Sequence, residues 1–322
     1  MKLGVLLVLF ADLPFEKALD RAVEAGLSCV EIGTGGYPGD AHCKPGELLA
    51  DRARVKAFRR AVTSRGLEIS ALACHGNPLH PRVDFAKASH ELFVKTVELA
   101  ESLEVNRLTL FSGCPGDSDS ARYPNWVTCA WPNEYGELLE WQWREKVVPY
   151  WRGQAGFASA HGVKLAFELH PGFVVYNPAS LLRLREACGE AVGANLDPSH
   201  LFWQGIDLES AIAELGRSKA IFHVHAKDTA IMRPAAVNGV LDTTPLGDVA
   251  KRSWIFRTMG YGHSEFDWRR FLVALRMAGY DDVLSIEQED ALLSVEEGFA
   301  KAVAFLRNVM PVEPPVSNAW WV

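Results

Sequence analysis

The chain has 322 residues, 48% hydrophobic and 23% charged, with a formal net charge of −7 at pH 7. That balance describes a globular chain with a large core, and its mild acidity gives no electrostatic ground for binding nucleic acid, whose partners carry a basic face. No run approaches the roughly 18 apolar residues of a membrane span. Residues 1–10 lack the basic start and cleavage site of a secretory signal, and the six cysteines are dispersed without a C-x-x-C pair, so a reducing cytoplasm is the expected compartment.

In chain order, residues 3–9 read as a strand and 15–25 as a helix stopped at Gly26. Residues 28–32 form a second strand, followed by a helix over 51–65 that ends at Gly66. Strand 68–74 leads to a long helix over 85–103, and strand 106–111 to a helix over 135–161. Strands beginning at Val163, Val192, Ala220 and Val283 then alternate with helices over 179–188, 208–215, 268–278 and 294–309. Glycines after the helices suit left-handed C-caps, and eight strand–helix units imply a parallel sheet closed as a (β/α)8 TIM barrel. A doubly wound sheet would place a glycine-rich phosphate turn after its first strand; Phe10-Ala11-Asp12-Leu13-Pro14 has none. The barrel is expected over residues 1–310 as a single domain, with long βα loops after strands four and seven and a proline-rich tail over 311–322. The tandem Trp320-Trp321 in that tail suggests docking on the barrel or on a second copy, making a homo-oligomer.

Four of the apolar strands end on potential metal ligands, in Phe167-Glu168-Leu169-His170, Leu196-Asp197-Pro198-Ser199-His200, His223-Val224-His225-Ala226-Lys227-Asp228 and Ser285-Ile286-Glu287-Gln288-Glu289. Parallel strands gather their ends at one face, so Glu168, Asp197, His225 and Glu287 would converge there. Three carboxylates and an imidazole suit a hard divalent cation, Mn²⁺ first, with Mg²⁺, Co²⁺ and Zn²⁺ as alternatives. His225 is preferred to His223 because it lies nearer the C-terminal edge. His200 stands just past its strand as a ligand or substrate contact, and His170 points the same way as Glu168, higher on the rim. His75-Gly76-Asn77-Pro78 ends the third strand with groups suited to hydroxyl recognition. Glu31 ends the second strand as a weaker candidate, Glu289 and Asp290 are expected in solvent or in ion pairs, Lys227-Asp228 as a local ion pair, and Arg257 as an anchor for an anionic group.

These segments, together with Gly279-Tyr280-Asp281-Asp282-Val283, resemble the xylose isomerase-like barrel superfamily, and within it the sugar phosphate isomerase/epimerase branch. The resemblance spans almost the whole chain. It implies that Glu168 and Glu287 are both metal ligands and the acid/base pair. It further implies Asp197 and His225 as the remaining ligands and His200 on a small carbohydrate-like substrate, where His75 and Asn77 would join it as the hydroxyl-recognising groups read above. The ketose epimerases of that branch carry a substrate-binding arginine six residues after the metal histidine. Here that position is Ile231, leaving Arg233 or Arg257 to substitute.

The expected activity is isomerisation or epimerisation of a sugar, a sugar phosphate or a related keto/hydroxy compound, by proton transfer through a metal-stabilised enediolate. Expulsion of a β-hydroxyl from the same enolate would instead make a dehydratase of the inosose type. An endonuclease of the same superfamily needs extra histidines on the earlier strands, and residues 106–113 offer none. A non-catalytic metal-binding role is the remaining alternative.

Overall fold

The computed structural model describes residues 1–233 and 236–314. Its first half runs β1 (Lys2–Leu6), α1 (Phe15–Glu24), β2 (Cys29–Gly33), α2 (Pro45–Leu49), α3 (Arg52–Thr63), β3 (Glu68–Ala73), α4 (Val83–Leu103), β4 (Arg107–Leu110), α5 (Asn133–Trp141) and α6 (Val148–Ala160). There follow β5 (Lys164–Glu168), α7 (Pro178–Cys188), β6 (Val192–Leu196), α8 (Pro198–Gln204), α9 (Leu208–Arg217) and β7 (Ile221–Ala226). The chain closes with β8 (Asp228–Ile231), β9 (Trp254–Arg257), α10 (Glu265–Met277), β10 (Val283–Ile286) and α11 (Val295–Val309). Strands β1 to β7 and β10 form one closed parallel barrel in the order β1-β10-β7-β6-β5-β4-β3-β2, and β8 and β9 form a separate antiparallel pair.

Helices outside and side chains inside cover both faces of each barrel strand, which explains the near-continuous apolar runs. Every residue of β2 and of β6 is buried. On β5, the outward Phe167 meets Trp151 of α6 edge-on at 4.7 Å, while the alternation leaves Glu168 facing inward at the strand's end. Helix starts are set by local chemistry. Asp51 accepts a hydrogen bond from Ala53 N, and Asn177 with Ser180 and Ser264 with Asp267 form reciprocal capping boxes.

Two strand pairs slip in register, β2 against β3 between Val30 and Glu31, and β6 against β7 between Ala194 and Asn195. Such irregularities re-aim the side chains that follow them, and Glu31 and Asn195 both enter the site described below.

The closed (β/α)8 barrel agrees with the sequence expectation, with three local differences. The first strand ends at Leu6, and residues 7–10 turn into a 3₁₀ helix. The helix expected over 135–161 is split by a π-helical stretch, Gln142–Val147. Buried Gln142 explains the wider turn: its Nε2 donates to the carbonyls of Pro115, Gly116 and Asn125 and ties down the loop after β4. Short helices α2 and α8 and the β8–β9 pair carry too few residues for a clear period. The tail expectation rests on Trp320-Trp321 and falls within residues 315–322, outside the described residues. Among the described residues, no helix is long and apolar enough to cross a membrane.

Candidate metal centre and active site

The four ligand candidates meet at the C-terminal end of the barrel. Ligand atoms of Glu168 on β5, Asp197 after β6, His225 on β7 and Glu287 after β10 all lie within 4.8 Å of one another. His225 Nδ1 is 3.0 Å from Glu287 Oε2 and 3.6 Å from Glu168 Oε2. Asp197 has a divided role. Its Oδ1 accepts Ser199 N at 2.8 Å and caps α8, while the buried Oδ2 has no hydrogen-bond partner. Glu287 Oε2 is likewise buried without an aligned donor. Two buried acceptor oxygens without an aligned donor, in a set of three carboxylates and an imidazole around one point, are what a cation centre requires, so these residues fit a divalent ion.

Neighbouring groups fix the candidate ligands. His75 Nε2 lies 3.0 Å from Glu168 Oε2 and His200 Nε2 3.1 Å from its Oε1. Asn195 Nδ2 donates to Glu168 Oε2 at 3.2 Å. Burial pushes the Glu168 carboxyl up, but hydrogen bonds from His200 and His75 outweigh it and hold the group well below its ordinary range. His170 packs against the ring of His200, 4.0 Å between centroids; burial and the neighbouring His200 bring it down to about 3, so it is neutral at pH 7. His223 lies one layer deeper, as expected, brought down to about 4 mainly by burial.

Lys227 departs from the expectation of a local ion pair with Asp228. Its Nζ is buried among carboxylates, 2.9 Å from Glu289, 3.2 Å from Glu287 and 3.5 Å from Asp197. The ring of Phe256 on β9 covers it at 4.3 Å. Burial disfavours the ammonium, but Glu287, Glu289 and Asp197 outweigh that and keep it charged. Asp228 turns instead to the loop, accepting from Gly260 N, Gly262 N and His263 N and pairing with His263 Nδ1 at 2.8 Å.

A cavity of about 410 Å³ opens above the ligand set, in the range that holds small molecules. Glu168, Glu287, His75 and Lys227 line it. Phe111 and Phe173, stacked at 4.2 Å, add an aromatic wall with Tyr37. Gly36, at φ +73°, lets this loop lie on the third strand's end: a Cβ there would stand 2.0 Å from the His75 carbonyl, which accepts Tyr37 N at 2.9 Å.

Two of the expected substrate contacts are engaged elsewhere. Asn77 donates to Cys114 O and accepts from Leu79 N and Cys114 N, stapling two loops beside a neighbouring cavity of about 730 Å³. Arg257 Nε pairs with Asp290 Oδ2 at 3.0 Å, and its guanidinium lies over Tyr261. Glu289 and Asp290 are thus both paired, with Lys227 and Arg257. Sequence reasoning undervalued Glu31, which is fully buried within 3.0 Å of His225 Nε2, and passed over Asn195 and the aromatic wall. A usable signal was present in period two: His223, His225 and Lys227 share one face of β7 and its extension.

A family model described as xylose isomerase-like TIM barrel matches residues 19–309. The uncharacterized protein YfiH of Bacillus subtilis (strain 168) is 38% identical over 314 residues, 96% of this chain and 99% of that one. Among solved structures, a probable 3-DHS dehydratase, AsbF, involved in petrobactin synthesis from Bacillus anthracis is 18% identical. It has a TM-score of 0.65, with 96% of this chain and 99% of the other covered. A D-tagatose 3-epimerase-like protein is also 18% identical, with a TM-score of 0.64 and coverage of 96% and 98%. At this identity the two structures bear on fold alone.

Proposed function

The chain belongs to the xylose isomerase-like TIM barrel family, and from that premise we propose that it is a divalent-metal-dependent isomerase or epimerase of a sugar or a related keto/hydroxy compound. One observation carries this reading: Glu168 and Glu287, both in the four-residue ligand set, also line the cavity where a small molecule would sit. A divalent cation, Mn²⁺ in the first place, held by Glu168, Asp197, His225 and Glu287 would polarise a substrate carbonyl and the hydroxyl beside it. Glu168 ends β5 and Glu287 follows β10, strands three places apart around the barrel, so the two carboxylates can address a bound carbon from different sides. One takes the proton next to the carbonyl and the other returns a proton. His75 and His200 hold Glu168 in place with a hydrogen bond to each oxygen. Phe111, Phe173 and Tyr37 exclude water and offer a flat apolar surface to the C–H face of a polyol.

A second reading, dehydration, draws support from Lys227. Its buried ammonium lines the cavity beside Glu287 and can give a proton to a departing hydroxyl after the same first step. The likeness in fold to the probable dehydratase is compatible with either outcome.

The deciding experiment is proton exchange by NMR in D₂O with a panel of ketoses, inososes and keto acids, with and without Mn²⁺. Deuterium entering next to a carbonyl only when metal is present is the expected result. A new isomer then means isomerase, and loss of water means dehydratase. Absence of exchange across the panel removes the enolisation reading.

A further inference from the structure

Glu31 sits in the barrel interior beneath the ligand set, on β2, where the other residues of the strand are Cys29, Val30, Ile32 and Gly33. A carboxylate there must be fully partnered to remain ionised in the barrel interior. Three other strands supply the partners. Thr109 Oγ1 of β4 donates to Oε1 at 2.5 Å, Ser285 Oγ of β10 donates to Oε2 at 2.7 Å, and His225 Nε2 of β7 stands 3.0 Å from Oε2. The register slip between Val30 and Glu31 is the local feature that aims the side chain there.

We propose that Glu31 is a positioning residue for the metal centre: it holds the Nε2 proton of His225, fixing the ring so that Nδ1 is the atom presented to the cation. The two ring nitrogens have different surroundings. Nε2 faces the Glu31 carboxylate at 3.0 Å, outside the four-residue ligand set and already held by Thr109 and Ser285, so Nε2 is the donor of that contact. Nδ1 lies 3.0 Å from Glu287 Oε2 and 3.6 Å from Glu168 Oε2, among the candidate ligand atoms, where a cation would take the place of any proton shared with them.

The remaining imidazole of this layer does not compete. Asn195 Nδ2 faces the Glu168 carboxylate, so its Oδ1 faces His223 and accepts from Nδ1 at 3.2 Å. His223 Nε2 is then without a partner and 3.9 Å from Glu31, beyond hydrogen-bond reach. Carboxylates behind metal-binding histidines typically govern metal affinity by about 10–100-fold.

The inference rests on the metal-centre part of the proposed function and not on any substrate. Its test is Mn²⁺ titration of the metal-free full chain against a fluorescent chelator, for the parent and Glu31→Gln, with melting of both metal-free proteins in parallel. The expected result is one ion per chain, bound about 10–100-fold more weakly by the variant, with no lowering of the metal-free melting temperature. If Glu31→Gln fails to fold, Ser285→Ala removes one anchor of the carboxylate and should weaken binding about fivefold, the effect of one ordinary hydrogen bond. Affinity within twofold of the parent in a folded variant overturns the proposal. So does a stoichiometry of two ions that falls to one in Glu31→Gln, because Glu31 would then be a ligand itself. A parent that binds no divalent ion overturns the metal centre and this inference together, a result distinct from an unaffected variant.

Discussion

Asp197 divides its carboxylate between structure and chemistry: Oδ1 accepts Ser199 N at 2.8 Å as the cap of α8, and Oδ2, without an aligned donor, lies 3.5 Å from the Lys227 ammonium beside His225, Glu168 and Glu287. The two functions separate by substitution. Asparagine caps helices as well as aspartate does, so Asp197→Asn should leave the metal-free melting temperature within about 2 °C of the parent. It removes an anionic ligand, so metal affinity should fall by at least about tenfold. Asp197→Ala should lose the cap as well, at about 1 kcal/mol. Calorimetry of the metal-free proteins with a parallel Mn²⁺ titration checks both parts. Unchanged affinity in Asp197→Asn would remove Asp197 from the ligand set.

The clustered carboxylates also predict a stability effect. A cation that binds only the folded chain stabilises it by about 2.7 kcal/mol at one hundred times its dissociation constant. Chelation should therefore lower the melting temperature, and Mn²⁺ should restore it saturably. Glu287→Ala should abolish most of that rise, because it removes a ligand from a centre already assembled by three other strands. A melting temperature indifferent to Mn²⁺ in the parent would mean that the four residues are held by Lys227 and their histidines alone.

The barrel was legible because its strands are continuous apolar runs and its helices end at glycines. The convergence of Glu168, Asp197, His225 and Glu287 was legible for the same reason: they are polar, ionisable groups at the ends of those runs. Glu31 was harder to judge. It lies within an apolar strand, and its worth depends on Thr109 and Ser285, residues 78 and 254 positions away in the chain. Lys227 was misassigned for a related reason. Its neighbour Asp228 is adjacent in sequence, but alternation along the strand sends the two side chains in opposite directions. The expected partnership gives way to contacts with Glu287 and Glu289, just past the end of the next barrel strand. The β8–β9 pair, which brings Phe256 over Lys227, follows from pairing across a 22-residue excursion that no local period announces (between Ile231 and Trp254).

If Glu168 and Glu287 share the proton transfers, neither can be spared. Glu168→Gln keeps shape but supplies no base, and the bonds from His75 and His200 can be only partly preserved. Each amide variant should lose about 10²–10⁴-fold in turnover with a competent substrate. Solvent deuterium exchange resolves the two further. A variant that lacks the residue taking the proton should exchange nothing, while one that lacks only the returning acid should still exchange without forming product. Full turnover in either variant contradicts the shared role.

Arg257 tests whether an arginine in the long loop serves the substrate or the fold. Asp290 accepts Arg257 Nε at 3.0 Å, Thr258 N at 2.8 Å and, through its other oxygen, Leu292 N at 2.8 Å. This one carboxylate therefore joins β9 to the segment after Glu287. Asp290→Ala would strip partners from two backbone amides and a largely buried guanidinium, costing about 3 kcal/mol. Arg257→Gln removes only one arm of the clamp and should cost about 1 kcal/mol. Because the guanidinium lies toward Tyr261 rather than in the cavity wall, Arg257→Gln should change KM by less than about threefold. Chemical denaturation measures the stabilities and steady-state kinetics the KM. A KM raised tenfold or more at unchanged stability would show that Arg257 leaves Asp290 to hold the substrate, restoring the anchoring role that its place in the sequence suggests.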